Sequence, residues 1–79
     1  MTLTILYFAQ LAEERGAAQE RLTGDYANLA ALYNALHAQH HFSLAQNQLR
    51  VARNQMFAEW TDAPQDGDEI AFIPPVSGG

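Results

Sequence analysis

Three histidines, His37, His40 and His41, stand at i, i+3 and i+4, so on a helix two imidazoles could meet a metal ion on one face. No acidic or cysteine ligand stands at a spacing that would complete such a site. Histidines near a helix C-terminus favour the dipole and point to solvent, and this is the reading adopted: no metal site. Asp66, Asp68 and Glu69 gather three carboxylates, but Asp66-Gly67 is a turn signal in its own right. Neither a nucleophile nor an orienting base accompanies them. Glu13 and Glu14 read as a solvated helix face. Ser77 lacks a neighbouring His or Asp and is no acyl-transfer nucleophile. With glycines at 16, 24, 67, 78 and 79, neither GxGxxG nor a GxxxxGK loop can be written, so the chain does not cradle nucleotide phosphates. It has no cysteine, which removes thiol nucleophiles, side-chain persulfides and Cys-based zinc sites.

The ending Pro74-Pro75-Val76-Ser77-Gly78-Gly79 is different. Two prolines directly after a strand fix φ and send the chain along an extended path away from the domain. The four residues beyond Pro75 reach up to about 13 Å if fully extended. Gly78 and Gly79 have no Cβ, so such an end can enter a channel that any larger residue would block. The group it would deliver is the α-carboxylate of Gly79, ionised at neutral pH.

Charge narrows the partners. The chain holds four basic residues, all arginine (Arg15, Arg21, Arg50 and Arg53), against nine acidic ones, a net charge of −5. A polyanion is repelled, so nucleic-acid binding is excluded, and the acidic balance suits docking on basic partner surfaces. The longest apolar run, Ile5 to Ala9, is far short of a membrane span. No apolar stretch of signal-peptide length follows the start, and the expected location is the cytoplasm.

The elements that would position the tail fit one domain of 79 residues, about half of them apolar. Alternation over Thr2 to Phe8 puts Leu3, Ile5 and Tyr7 on one face of a strand and Leu6 and Phe8 on the other. Gln10 to Arg15 predicts a short helical turn closed by Gly16. Ala17 to Thr23 reads as a second strand before Gly24-Asp25. Asn28 caps a helix from Leu29 to His40 whose apolar residues Leu29, Leu32, Tyr33 and Leu36 fall at i, i+3, i+4 and i+7. Phe42 to Gln48 reads as polar and irregular. Leu49 to Arg53 and Met56 to Trp60 predict short strands about Asn54-Gln55, and Ile70 to Ile73 the last strand. One amphipathic helix on one face of a mixed sheet gives a two-layer α+β roll over residues 1–73, with 74–79 as a flexible tail. Leu3, Ile5, Ile70 and Phe72 are expected to face the helix. Phe8, Phe57 and Ile73 are expected to face outward beside the tail, as a partner-binding surface.

A strand-strand-helix-strand roll ending in Gly-Gly resembles the ubiquitin-like β-grasp group. The string from Asp66 to Gly79 is similar, more narrowly, to the ending of the molybdopterin synthase small subunit family. Leu6-Tyr7-Phe8-Ala9-Gln10 resembles that family's start, and Asn54-Gln55 falls at its Asn-centred strand connection; Arg53 departs from the apolar residue usual before that Asn. The resemblance implies a sulfur carrier with no directly bound cofactor. A partner adenylyltransferase of the ubiquitin-activating type would use ATP to form an acyl-adenylate on Gly79, and a sulfur donor protein would convert it to a thiocarboxylate. The tail would then insert into the large synthase subunit, within a heterotetramer, and give its sulfur to cyclic pyranopterin monophosphate to build the molybdopterin dithiolene. Three alternatives stay open: a thiamine-pathway sulfur carrier, a ubiquitin-like protein modifier, and an interaction domain that makes no use of its tail.

Overall fold

The computed structural model describes residues 1–75. Its first strand, β1 (Thr2–Tyr7), alternates as the sequence predicts, with Leu3, Ile5 and Tyr7 buried. A helical turn, α1 (Gln10–Arg15), ends at Gly16, whose φ of 80° lies in the left-handed region that a side chain would strain. Then β2 (Gln19–Thr23) returns antiparallel to β1.

The main helix, α2 (Leu29–His40), opens at Asn28, whose side chain accepts a hydrogen bond from the Ala31 N–H at 2.8 Å. It buries Leu29, Leu32, Tyr33 and Leu36 against the sheet. It closes on His41, a left-handed residue whose N–H bonds the His37 carbonyl. Strands β3 (Arg50–Arg53), β4 (Met56–Ala58) and β5 (Glu69–Ile73) complete a five-stranded sheet in the order β2-β1-β5-β3-β4. The central β1-β5 pair is parallel and the other pairs antiparallel. Among the described residues, one face of the sheet thus carries the helix and the other carries none, the two-layer α+β arrangement expected.

The core is aromatic at its centre. The Tyr33 ring meets Phe72 edge-on at 5.0 Å and stacks on Phe42 at 6.0 Å. Its hydroxyl donates to the Leu44 carbonyl at 2.6 Å. Burial pushes the Tyr33 phenol up to about 12, with the Glu14 charge adding to the effect.

Several expectations are corrected here. The Phe42 to Gln48 segment is not merely polar and irregular: Phe42 is buried, Leu44 packs on the core, and Gln46–Gln48 form a 3-10 turn. Two apolar residues without periodicity carry no signal that distinguishes a lid on the core from a loop. Strand β2 starts at Gln19 rather than Ala17. Strand β4 ends at Ala58, and Trp60 packs on the core through stacking with Phe72 at 6.1 Å instead of extending the strand.

Candidate partner-docking groove

On the helix-free face, the register lines up one residue from each of four strands: Leu6 opposite Ala71, Ala71 opposite Ala52, and Ala52 opposite Phe57. Two alanines in the middle of this row, with larger side chains at its ends, leave a depression. The groove is about 230 Å³, floored by Ala52 and Ala71 and walled by Leu6, Phe8, Phe57 and Ile73. Gln55 and Glu69 add polar groups at its rim. Phe8 is 46% exposed and Phe57 62%, while Ile73 is half-buried. All three residues expected on the outward face therefore border one concavity. Leu3, Ile5, Ile70 and Phe72 are buried in the core, as expected. The alanine floor escaped the sequence reading, because Ala52 and Ala71 are informative only once the register sets them side by side.

The Arg50 guanidinium lies 3.8 Å over the ring of Phe57, a cation–π contact on a residue that lines the groove. Arg50 pairs in register with Ile73, the last residue of β5, so it stands where the chain leaves the sheet toward Pro74 and Pro75. Pro74 is half-buried and Pro75 exposed. The tail residues Val76, Ser77, Gly78 and Gly79 lie outside the described residues.

The histidines are not equivalent, and the expectation that they point to solvent is corrected for His40. His41 is exposed, and His37 packs its ring 5.9 Å from that of Tyr33. His40 is half-buried beside Phe42, with Nε2 buried, without a hydrogen bond, and 3.8 Å from a Glu20 carboxylate oxygen. That carboxylate also accepts from the Tyr7 hydroxyl at 2.6 Å and Arg15 Nε at 2.8 Å. The Arg15 hydrogen bond outweighs burial and holds the Glu20 carboxyl below its usual range, while burial, reinforced by Glu20, drives the Tyr7 phenol upward. Among the described residues no group of three His, Cys, Asp or Glu side chains is placed to hold a metal ion. The same residues include no helix long and apolar enough to cross a membrane.

Of the three carboxylates at the β5 entrance, those of Asp66 and Asp68 are engaged by hydrogen bonds within the fold, and Glu69 lines the groove. Asp66 accepts from the Thr2 N–H at 2.7 Å. Asp68 is buried and accepts from Arg53 Nε at 2.6 Å, the Gln65 N–H at 2.8 Å and Asn54 Nδ2 at 3.0 Å. Burial alone would raise its carboxyl, but the three donors and the Arg53 charge overcome it and hold the group below the usual carboxylate range. Arg53, the departure from the resembling family, is thereby accounted for as the partner of Asp68.

A mixed five-stranded sheet grasping one main helix is the ubiquitin-like β-grasp fold, here with an apolar groove beside its C-terminal exit. The chain belongs to the ThiS family, whose model matches residues 5–79. It is 34% identical over 80 residues to the molybdopterin synthase sulfur carrier subunit of Escherichia coli, covering 98% of this chain and 99% of that one. It is 38% identical over 80 residues to the same-named protein of Haemophilus influenzae, again covering 98% and 99%. Among solved structures, SAMP1 from Haloferax volcanii superposes with a TM-score of 0.82 at 30% identity, covering both chains completely.

Proposed function

We propose that this chain is the sulfur carrier subunit of a molybdopterin synthase, acting in the cytoplasm and carrying sulfur as a thiocarboxylate on Gly79. The observation that carries the reading is identity over nearly the whole chain to two relatives with that name. A chain without cysteine has no side chain on which transferable sulfide could ride, which leaves the terminus. The carboxylate is a poor electrophile, and no phosphate-binding loop can be written in the sequence, so activation falls to an adenylyltransferase partner. There a Gly79 carboxylate oxygen attacks the α-phosphate of ATP and expels pyrophosphate. A hydrosulfide equivalent from a sulfur donor protein then displaces AMP and leaves the thiocarboxylate.

The chain contributes no group to that chemistry beyond the terminus. Its role is delivery: the groove walled by Phe8, Phe57 and Ile73 seats on the large subunit of the synthase, in a heterotetramer. Pro74, Pro75, Val76, Ser77 and Gly78 thread Gly79 toward cyclic pyranopterin monophosphate. Apolar side chains grouped beside the tail exit support this use of the face.

The test is incubation with the adenylyltransferase, ATP and a sulfur source, followed by intact mass and C-terminal fragmentation. The expected result is exchange of one oxygen for sulfur, confined to Gly79 and dependent on ATP. The likeness to SAMP1, the small archaeal modifier protein 1 of Haloferax volcanii, favours a second reading, a protein modifier. An amide between Gly79 and partner lysines, with no thiocarboxylate, would establish that reading and overturn the first.

A further inference from the structure

Asp68 is the one buried charged residue among those described, and its bonds tie together four separate parts of the fold. Its carboxylate takes Arg53 from the end of β3, Asn54 from the β3-β4 turn and the Gln65 N–H from the loop before β5. Its carbonyl accepts from the Thr4 N–H of β1 at 3.0 Å. The turn it grips is a demanding one. Asn54 and Gln55 both have positive φ, 52° and 71°, as a two-residue hairpin with the twist of its strands requires, and neither is glycine. Asn54 is held on both sides: its N–H donates to the Glu69 carbonyl at 2.8 Å and its Oδ1 accepts from the Glu69 N–H at 2.9 Å.

What this clasp holds in place is one wall of the groove. Strand β4, three residues long, lies at the edge of the sheet and pairs with β3 alone. Gln55 and Phe57 line the groove from this hairpin, facing Leu6 and Phe8 across the alanine floor. A short edge hairpin with one neighbour is a low-stability part of a domain, so its position depends on the contacts at its turn.

We propose that Asp68, with Arg53 and Asn54, is a positioning residue for docking: it sets the β3-β4 hairpin so that Phe57 stands at the groove wall in the free chain. The inference rests on the docking face assigned under the proposed function. It adds a determinant that touches no partner. Asp68→Asn keeps the shape and an acceptor oxygen but removes the charge that Arg53 meets. Arg53→Met keeps the apolar stem and removes the cation, and serves if Asp68→Asn fails to fold.

The first measurement is amide hydrogen exchange on the free chain. Exchange over Met56–Ala58 should quicken at least about tenfold in either variant while the central β1 and β5 amides change less than about threefold. The second is affinity for the synthase large subunit in a cycle with Phe57→Ala. Asp68→Asn should weaken binding about tenfold in the native background and less than about threefold once Phe57 is gone. Uniform quickening across the sheet, or an equal loss of affinity in both backgrounds, would show Asp68 to be a general stabiliser and overturn the proposal. A native chain that does not bind the large subunit would overturn the proposed function instead, and the exchange pattern would still decide the positioning role.

Discussion

Phe57 is the sharpest place to separate docking from folding, because its side chain contributes little to the free domain and much to any surface it meets. A phenylalanine removes on the order of 200 Å² from water when fully covered. With 62% of the residue exposed, docking can cover roughly 120 Å² more, about 3 kcal/mol at roughly 25 cal/mol/Å². Ordering and imperfect fit reduce that figure, so Phe57→Ala should weaken binding to the synthase large subunit by about 1 to 3 kcal/mol. In the free chain the ring's specific partner is the Arg50 guanidinium at 3.8 Å, an attraction worth about 0.5 to 1 kcal/mol at an exposed site. Stability should therefore fall by no more than about 1 kcal/mol. Titration calorimetry against the large subunit and urea unfolding of the free chain measure the two quantities. Unchanged affinity together with a stability loss above about 2 kcal/mol would show Phe57 to be part of the fold and refute the assignment of this face.

Other outcomes follow from the same geometry. Phe72→Ala, at the centre of the core, should reverse the pattern and cost about 3 to 5 kcal/mol of stability, read by the same urea unfolding. Tyr33→Phe removes the donor to the Leu44 carbonyl and should cost about 1 to 2 kcal/mol in the same assay. Glu20 has a carboxyl held below its ordinary value in the folded chain, so the stability it confers is present above about pH 4 to 5, where the unfolded group is also ionised. It is lost as pH falls through the lower folded value; acid titration of stability should show this limb, and Glu20→Gln should flatten it. Gly79→Ala should leave the unfolding curve unchanged and sharply lower the rate of adenylation by the partner enzyme, measured by pyrophosphate release.

The elements legible in the sequence are those whose signal is local. Asn28 as a cap, the i, i+3, i+4 spacing of Leu29 to Leu36, and Gly16 as a left-handed stop each depend on residues within one turn, and the structure places α1 and α2 at the expected bounds. Alternation along β1 separates Leu3, Ile5 and Tyr7 from the outward residues for the same reason. What escaped depends on pairing between distant segments. Phe42 belongs to the core because the chain after α2 folds back over Tyr33, and His40 is half-buried because Phe42 and Glu20 of β2 come to lie beside it. Asp68 reads as part of a turn because its chief partners, Arg53 and Asn54, lie 15 and 14 residues away along the chain.

The helix-free face follows from how little chain there is to cover the sheet. A five-stranded sheet has two faces, and the 12-residue α2, aided by α1 and Phe42, closes only one. On the other, small residues at Ala52 and Ala71 limit how much apolar surface the free domain shows, while Phe8 and Phe57 at the margins stay exposed, the surface that the proposed docking uses. The two demands conflict, since larger central residues would strengthen docking and also invite self-association in the free chain. Under the proposed docking, an alanine floor with aromatic walls meets both demands by shape: a protruding side chain of the partner fills the concavity, and in the free chain the small floor residues keep the exposed apolar area down.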